Sequence, residues 1–208
     1  MRLFTIALLS CALAASAQQR PTVNEWTDNF SGSSIDPAKW EKFVFEGPGG
    51  CKINVTGGAL RLKGLANSRC GVRTLPEFSG DRWIVEAHLP HRPGPADMPV
   101  GFANLTVMFD SSGRNRIEWV WRTDGRFEAW KIIDGRGEEL DSHNLGTKET
   151  APTIAIVRKG NTLMFVLNGE IGLQKEIKEG LPHNFHVMLY GFGTSEDDWQ
   201  NVRVVTTK

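Results

Sequence analysis

Beyond the first forty residues, apolar and polar side chains alternate in short runs, and alternation with period two puts one set on each face of an extended strand. The runs are KFVFE, ALRLKG, RWIVEAHL, ANLTVMF, RIEWVW, RFEAWKII, TIAIVRKG, TLMFVLNG, NFHVMLYGF and NVRVVT. Turn-forming pairs separate them at Ser112-Gly113, Asp124-Gly125, Gly160-Asn161 and Asn168-Gly169. Helical periodicity is confined to a single expected turn near Ile35–Trp40, where Asp36 caps and Pro37 occupies the first helical position. Many antiparallel strands without helices predict an all-β fold, a sandwich or a barrel.

The stretch RIEWVWRTDGRFEAW, Arg116–Trp130, carries three tryptophans and two glutamates. A two-residue type I′ turn at Asp124-Gly125 would pair Thr123 with Arg126, Trp121 with Glu128, Trp119 with Trp130 and Glu118 with Lys131. Ile117, Ile132, Trp119, Trp130, Trp121 and Glu128 would then share one face. Glu118, Lys131, Val120, Ala129, Arg122 and Phe127 would share the other. The tryptophan face reads as sandwich core, because each aromatic side chain buries about 150–250 Å². A sugar-stacking platform is the competing use, with Trp121 nearest the hairpin end.

The same alternation sorts two further runs. In ANLTVMFD, Ala103, Leu105, Val107 and Phe109 point inward, leaving Asn104, Thr106 and Met108 on the opposite face. In NFHVMLYGF, Phe185, Val187 and Leu189 point inward, leaving His186, Met188 and Tyr190 outside. A concave face carrying Asn104, Thr106, Glu118, Arg122, Lys131, His186 and Tyr190 follows, rich in donors and acceptors and suited to a polar saccharide. The alternative is an ordinary solvated sheet face with structural ion pairs.

A chain of 208 residues with 24 Lys plus Arg against 24 Asp plus Glu has no global field to attract nucleic acid or an anionic membrane. Arg2, the apolar run LFTIALLSCALAA and the small-residue site Ala15-Ser16-Ala17 form a cleavable signal, read as residues 1–17, with one domain over residues 18–208. Leu9-Ser10-Cys11 has the outline of a lipoprotein box, but cleavage there would leave apolar residues behind the cysteine. The expected location is secreted or periplasmic, with no membrane span elsewhere. Export leaves Cys51 and Cys70 as the mature cysteines, most simply one disulfide.

The order of segments resembles the concanavalin A-like lectin/glucanase superfamily. FSGSSIDPAKWEKF is similar to the superfamily's opening segment, DRWIVEAHLP to the strand that begins the glucanase cleft, TIAIVRKGNTLMFVLNGEIG to a hairpin of laminin-G-like modules, and WQNVRV to the closing strand. The resemblance implies a two-sheet antiparallel jelly-roll β-sandwich. Retaining glucanases of this fold carry E-x-D-x-E or E-x-D-x-x-E on one strand. The matching strand here reads Glu118-Trp119-Val120-Trp121-Arg122-Thr123, so only the first acid is present. Glycoside hydrolysis needs two carboxyl groups, about 5–5.5 Å apart for retention or about 6.5–9.5 Å for inversion. Glu86, on a strand alternating with Arg82, Ile84 and His88, is the candidate partner for a rearranged pair.

Other chemistries lack support in the spacing. The pairs His88/His91 and His183/His186 would place their rings on opposite strand faces, so no metal site is expected. Asp141-Ser142-His143 is contiguous and reads as a polar loop, since triad members meet through the fold. Ser195-Glu196-Asp197-Asp198 reads as a solvated acidic loop, with calcium binding as the alternative. Asn54-Val55-Thr56 and Asn104-Leu105-Thr106 match the N-glycosylation pattern. The sequence thus predicts a glycan-recognition module without catalytic residues, cofactor or metal. Polysaccharide cleavage by a rearranged acid pair and a laminin-G-like protein-interaction or structural role are the alternatives.

Overall fold

The computed structural model describes residues 23–47, 50–64, 68–91, 101–144, 151–192 and 196–207. The signal segment, Ser195 and the Pro-rich loop after His91 lie outside them. The first eight strands are β1 (Val23–Asp28), β2 (Trp40–Glu46), β3 (Cys51–Thr56), β4 (Ala59–Gly64), β5 (Arg69–Thr74), β6 (Phe78–Ser79), β7 (Arg82–His88) and β8 (Phe102–Met108). The remainder are β9 (Arg116–Arg122), β10 (Arg126–Ile133), β11 (Arg136–Asn144), β12 (Thr153–Lys159), β13 (Thr162–Leu167), β14 (Glu170–Glu176), β15 (Asn184–Phe192) and β16 (Glu196–Thr207). The capped turn before β2 is present: Lys39 and Trp40 N–H reach Asp36 O at 3.0 and 2.9 Å, and Asp36 Oδ1 accepts from Ala38 N at 2.9 Å.

Two sheets stack. The first runs β14-β13-β12-β7-β16-β4-β3 with β1 added to β16; the second runs β11-β10-β9-β8-β15-β5-β2 with β6 beside β15. All the pairings are antiparallel, which gives the jelly-roll sandwich that the resemblance implied, where the alternation alone left a sandwich or a barrel open. Between the sheets lies a continuous core in which Leu105, Val107, Ile117, Phe185, Val187 and Leu189 meet Val85, Ile154, Ile156, Phe165 and Val204. The Cys51–Cys70 disulfide is formed, with Cα atoms 5.8 Å apart, and it ties β3 in the first sheet to β5 in the second. At Gly71 the backbones of β5 and β15 come so close that a Cβ would lie 1.9 Å from Leu189 O, so no other residue fits there.

The β9–β10 hairpin departs from expectation by one residue. Trp121 faces Phe127, Trp119 faces Ala129 and Glu118 faces Trp130. The loop is three residues long: Gly125 N–H reaches Arg122 O at 3.0 Å, Gly125 takes φ +85°, and Asp124 Oδ1 accepts from Arg126 N at 3.0 Å. That is a type I turn followed by a left-handed glycine, the second common way to close a hairpin. A slip of one residue turns every side chain of the partner strand over. Phe127 and Ala129 therefore enter the core beside Trp119 and Trp121, while Glu128, Trp130 and Ile132 move to the outer face with Glu118. Phe127 lies 5.3 Å from the rings of both Trp119 and Trp121, stacked on the latter.

Two other segments expected as loops are strands. Asp141-Ser142-His143 belongs to β11, where His143 and Asp141 approach to 3.4 Å at the surface. Glu196, Asp197 and Asp198 open β16, and Asp197 and Asp198 are buried rather than solvated. Asp198 takes both arms of the Arg61 fork at 2.8 and 2.7 Å. Among the described residues no helix is long and apolar enough to cross a membrane.

Candidate functional site

The outer face of the second sheet bears a cleft of about 260 Å³. Its polar walls come from neighbouring strands: Glu118 and Arg122 from β9, Glu128 and Trp130 from β10, Asn104 from β8 and Tyr190 from β15. Gly135 and Gly137, around the β10–β11 turn, leave one side without side chains. A Cβ at Gly137 would press on the Trp130 ring at 3.4 Å.

Glu118 is 6% exposed, and two donors converge on its Oε1: Arg116 Nε at 2.6 Å and Tyr190 OH at 2.5 Å. Arg116 Nη1 is tied in turn to Gly113 O at 2.6 Å, so the guanidinium is fixed. Burial pushes the Tyr190 phenol well above its ordinary value, and the adjacent Glu118 charge adds to this, so the phenol keeps its proton and acts as a donor. Burial opposes the charge on Arg116, but Glu118 and then Tyr190 outweigh it and raise the guanidinium further. Glu128 is likewise enclosed: Trp130 Nε1 donates to Oε2 at 3.0 Å, Arg122 Nη1 lies 3.3 Å from Oε1 and Arg126 Nη1 lies 3.7 Å from it. Both carboxylates serve as hydrogen-bond acceptors for fixed neighbours.

Of the seven expected site residues, Asn104, Glu118, Arg122 and Tyr190 come together in the cleft. Thr106 stands on the same face opposite Glu118, but it is fully buried and outside the lining. Two others are elsewhere. The register slip sends Lys131 to the far side of β10, where it binds Glu138 and Glu179 at 2.9 and 2.7 Å beside a separate surface cavity. His186 lies four residues along β15 from Tyr190, with Nδ1 held 2.9 Å from Thr74 O. Glu86 belongs to the first sheet, in a cavity with Asp28, Lys39 and Arg203, so it is no partner for Glu118. Asn104 is buried and closed to glycosylation in the folded chain, whereas Asn54 is exposed.

The residues missed by sequence reasoning divide by cause. Arg116 was within reach, since it stands two positions before Glu118 and period two puts it on the same face. Glu128 and Trp130 depended on the turn length. Arg69 depended on β5 pairing with β15, a long-range contact without local signal. The expectation of a lone carboxylate on this face is therefore corrected: Glu118 and Glu128 are diagonal neighbours across β9 and β10. Ladder geometry sets such positions about 7–8 Å apart, with their Cβ atoms somewhat closer. Among the described residues no group of three His, Cys, Asp or Glu side chains is placed to hold a metal ion.

No protein-family model matches the sequence, and no curated protein matches it. Solved structures match the fold. The endo-β-1,3-glucanase from Pyrococcus furiosus aligns over 88% of this chain and 94% of its own, with TM-score 0.67 and 13% identity. A protein described with the endo-acting O-glycanases that human gut microbiota use to initiate mucin breakdown aligns over 88% and 99%, with TM-score 0.66 and 16% identity. The carbohydrate-binding module CBM66 from Bacillus subtilis aligns over 78% and 94%, with TM-score 0.58 and 11% identity. What the chain shares with these structures is the fold, a two-sheet antiparallel jelly-roll β-sandwich.

Proposed function

We propose that this chain is an exported, single-domain glycan-recognition protein that binds a saccharide in the cleft over Glu118, Arg122, Trp130 and Tyr190. The observation that carries the reading is the composition of that cleft. An indole edge, a guanidinium and two carboxylates are all held by hydrogen bonds to protein neighbours, which is how a site prepares for hydroxyl-bearing ligands before they arrive. Both carboxylates already accept hydrogen bonds from protein donors, an arrangement suited to orienting a sugar. A hydrolase needs one of the two to deliver a proton to the leaving group. Export is supported by the signal-like N-terminus and by the Cys51–Cys70 disulfide. Titration calorimetry against soluble β-glucans and mucin tests the assignment: binding is expected, and Trp130→Ala or Arg122→Ala should weaken it at least about tenfold, equivalent to about 1.4 kcal/mol. Binding that neither substitution alters would place the ligand elsewhere.

A second reading is favoured by one observation, the diagonal placement of Glu118 and Glu128 on one face of β9 and β10, which gives the cleft the two carboxyl groups that glycoside hydrolysis needs. Its test is release of reducing ends from the same polysaccharides. Turnover abolished in both Glu118→Gln and Glu128→Gln would establish hydrolysis in place of recognition alone.

A further inference from the structure

Asn104 occupies the middle of the cleft-bearing face, between Val120 on β9 and Tyr190 on β15. It is 0% exposed and borders the cleft, yet neither its Oδ1 nor its Nδ2 has a hydrogen-bond partner among the described residues. Buried amides are ordinarily paired, because each unmet donor or acceptor has given up water and received nothing back. Thr106 Oγ1, two residues along β8, likewise has no partner among the described residues, while two other adjacent groups are already committed. Tyr190 donates to Glu118, and Arg116 donates to Glu118 and to Gly113 O. An apolar cluster of Met108, Met188 and Tyr190 with phenylalanines around it adjoins Asn104 through its register partner Tyr190.

The geometry points to Asn104 as the specificity-determining residue of the cleft, reading two adjacent hydroxyl groups on the bound sugar. The inference rests on the glycan reading above and narrows its ligand class. A carboxamide offers one acceptor and one donor side by side, and two neighbouring ring hydroxyls complement it, one donating to Oδ1 and the other accepting from Nδ2. A 1,4-linked hexose keeps its 2- and 3-hydroxyls free and adjacent. An internal 1,3-linked hexose keeps the 2-, 4- and 6-hydroxyls, no two of which sit on neighbouring carbons. The cleft therefore takes 1,4-linked units or chain ends in preference to the interior of a 1,3-linked chain.

The experiment uses the full chain and soluble mixed-linkage β-1,3-1,4-glucan before and after periodate oxidation, which cuts adjacent diols and spares internal 1,3-linked residues. Oxidation of the glucan should weaken binding at least about tenfold, and Asn104→Ala and Asn104→Leu should each do the same to the intact glucan, a measurable loss by calorimetry. In the absence of ligand, Asn104→Leu should melt about 2–4 °C higher, because an apolar side chain of similar size ends the unmet burial. A lower melting point would show the amide to be structural and overturn the assignment. Equal binding to intact and oxidised glucan, or wild-type affinity in Asn104→Ala, would overturn it while leaving glycan recognition standing. No binding to this glucan, to β-1,3-glucan or to mucin would remove both.

Discussion

Asp28 and Glu128 each accept a hydrogen bond from an indole, at 2.8 Å from Trp40 and at 3.0 Å from Trp130. The surroundings of the two pairs differ. Asp28 spends its other oxygen on Phe30 N–H at 2.8 Å, holding Phe30 in a left-handed conformation of φ +52°, and Trp40 is wedged between the rings of Trp26 and Phe30. Every polar atom of that pair is met from within. At Glu128 the indole lies half-buried on an open cleft, and the carboxylate is shared between two arginines reaching in from the hairpin end. The same chemical pair thus closes the sandwich in one place and furnishes a surface in the other.

Substitutions should separate the two roles. The largest effect is expected at Trp40: Trp40→Ala should cost about 3–5 kcal/mol of stability in urea titration, as emptying a core aromatic site does. Trp130→Ala should cost under about 1.5 kcal/mol and act on glycan affinity instead. Equal stability losses would erase the distinction. Next in size, Asp28→Ala leaves the Trp40 and Phe30 N–H groups without acceptors, worth about 2 kcal/mol or more, whereas Glu128→Gln keeps an acceptor for Trp130 and should cost under about 1 kcal/mol. Denaturant midpoints measured side by side would check the ordering.

The smallest effect concerns pH. Tyr190 is the one tyrosine in the sequence, and its folded value lies well above the value of about 10 expected when unfolded. The native state therefore keeps a proton that the unfolded chain releases, so this contribution to stability is complete below about pH 10 and is lost as pH rises towards the folded value. Absorbance of tyrosinate should stay flat through pH 10 in the native protein and develop only on unfolding. Tyr190→Phe should remove the part of the alkaline stability loss that Tyr190 causes. Ordinary ionisation near pH 10 in the folded state would contradict the burial of the phenol against Glu118.

Period-two alternation was sufficient for an all-β sandwich or barrel and for part of the cleft lining. It put Asn104, Thr106 and Tyr190 on the outer face and Leu105, Val187 and Leu189 in the core, because strand side chains alternate whatever their partners are. What it could not supply was register. Asp124-Gly125 suits a two-residue turn and equally a three-residue turn with a left-handed glycine, and the choice decides whether Glu128 and Trp130 or Phe127 and Ala129 face the core. The burial of Phe127 against Trp121 settles it: the slipped register exchanges Trp130 for Phe127 between the sheets, so no aromatic packing is lost, and it moves a carboxylate out of the core, which is favourable. Acidic Glu196-Asp197-Asp198 misled for the opposite reason. Its charges are compensated from β4, which sequence distance hides: Arg61 meets Asp198 and Lys63 meets Glu196.

The Cys51–Cys70 link joins the two layers at one margin only, like the spine of a book. Partial opening of the layers should then begin at the fore-edge, where β11 and β14 end their sheets and are largely exposed to water. Backbone amides of those two strands should trade hydrogen for deuterium soonest, and those of β5 and β15 last.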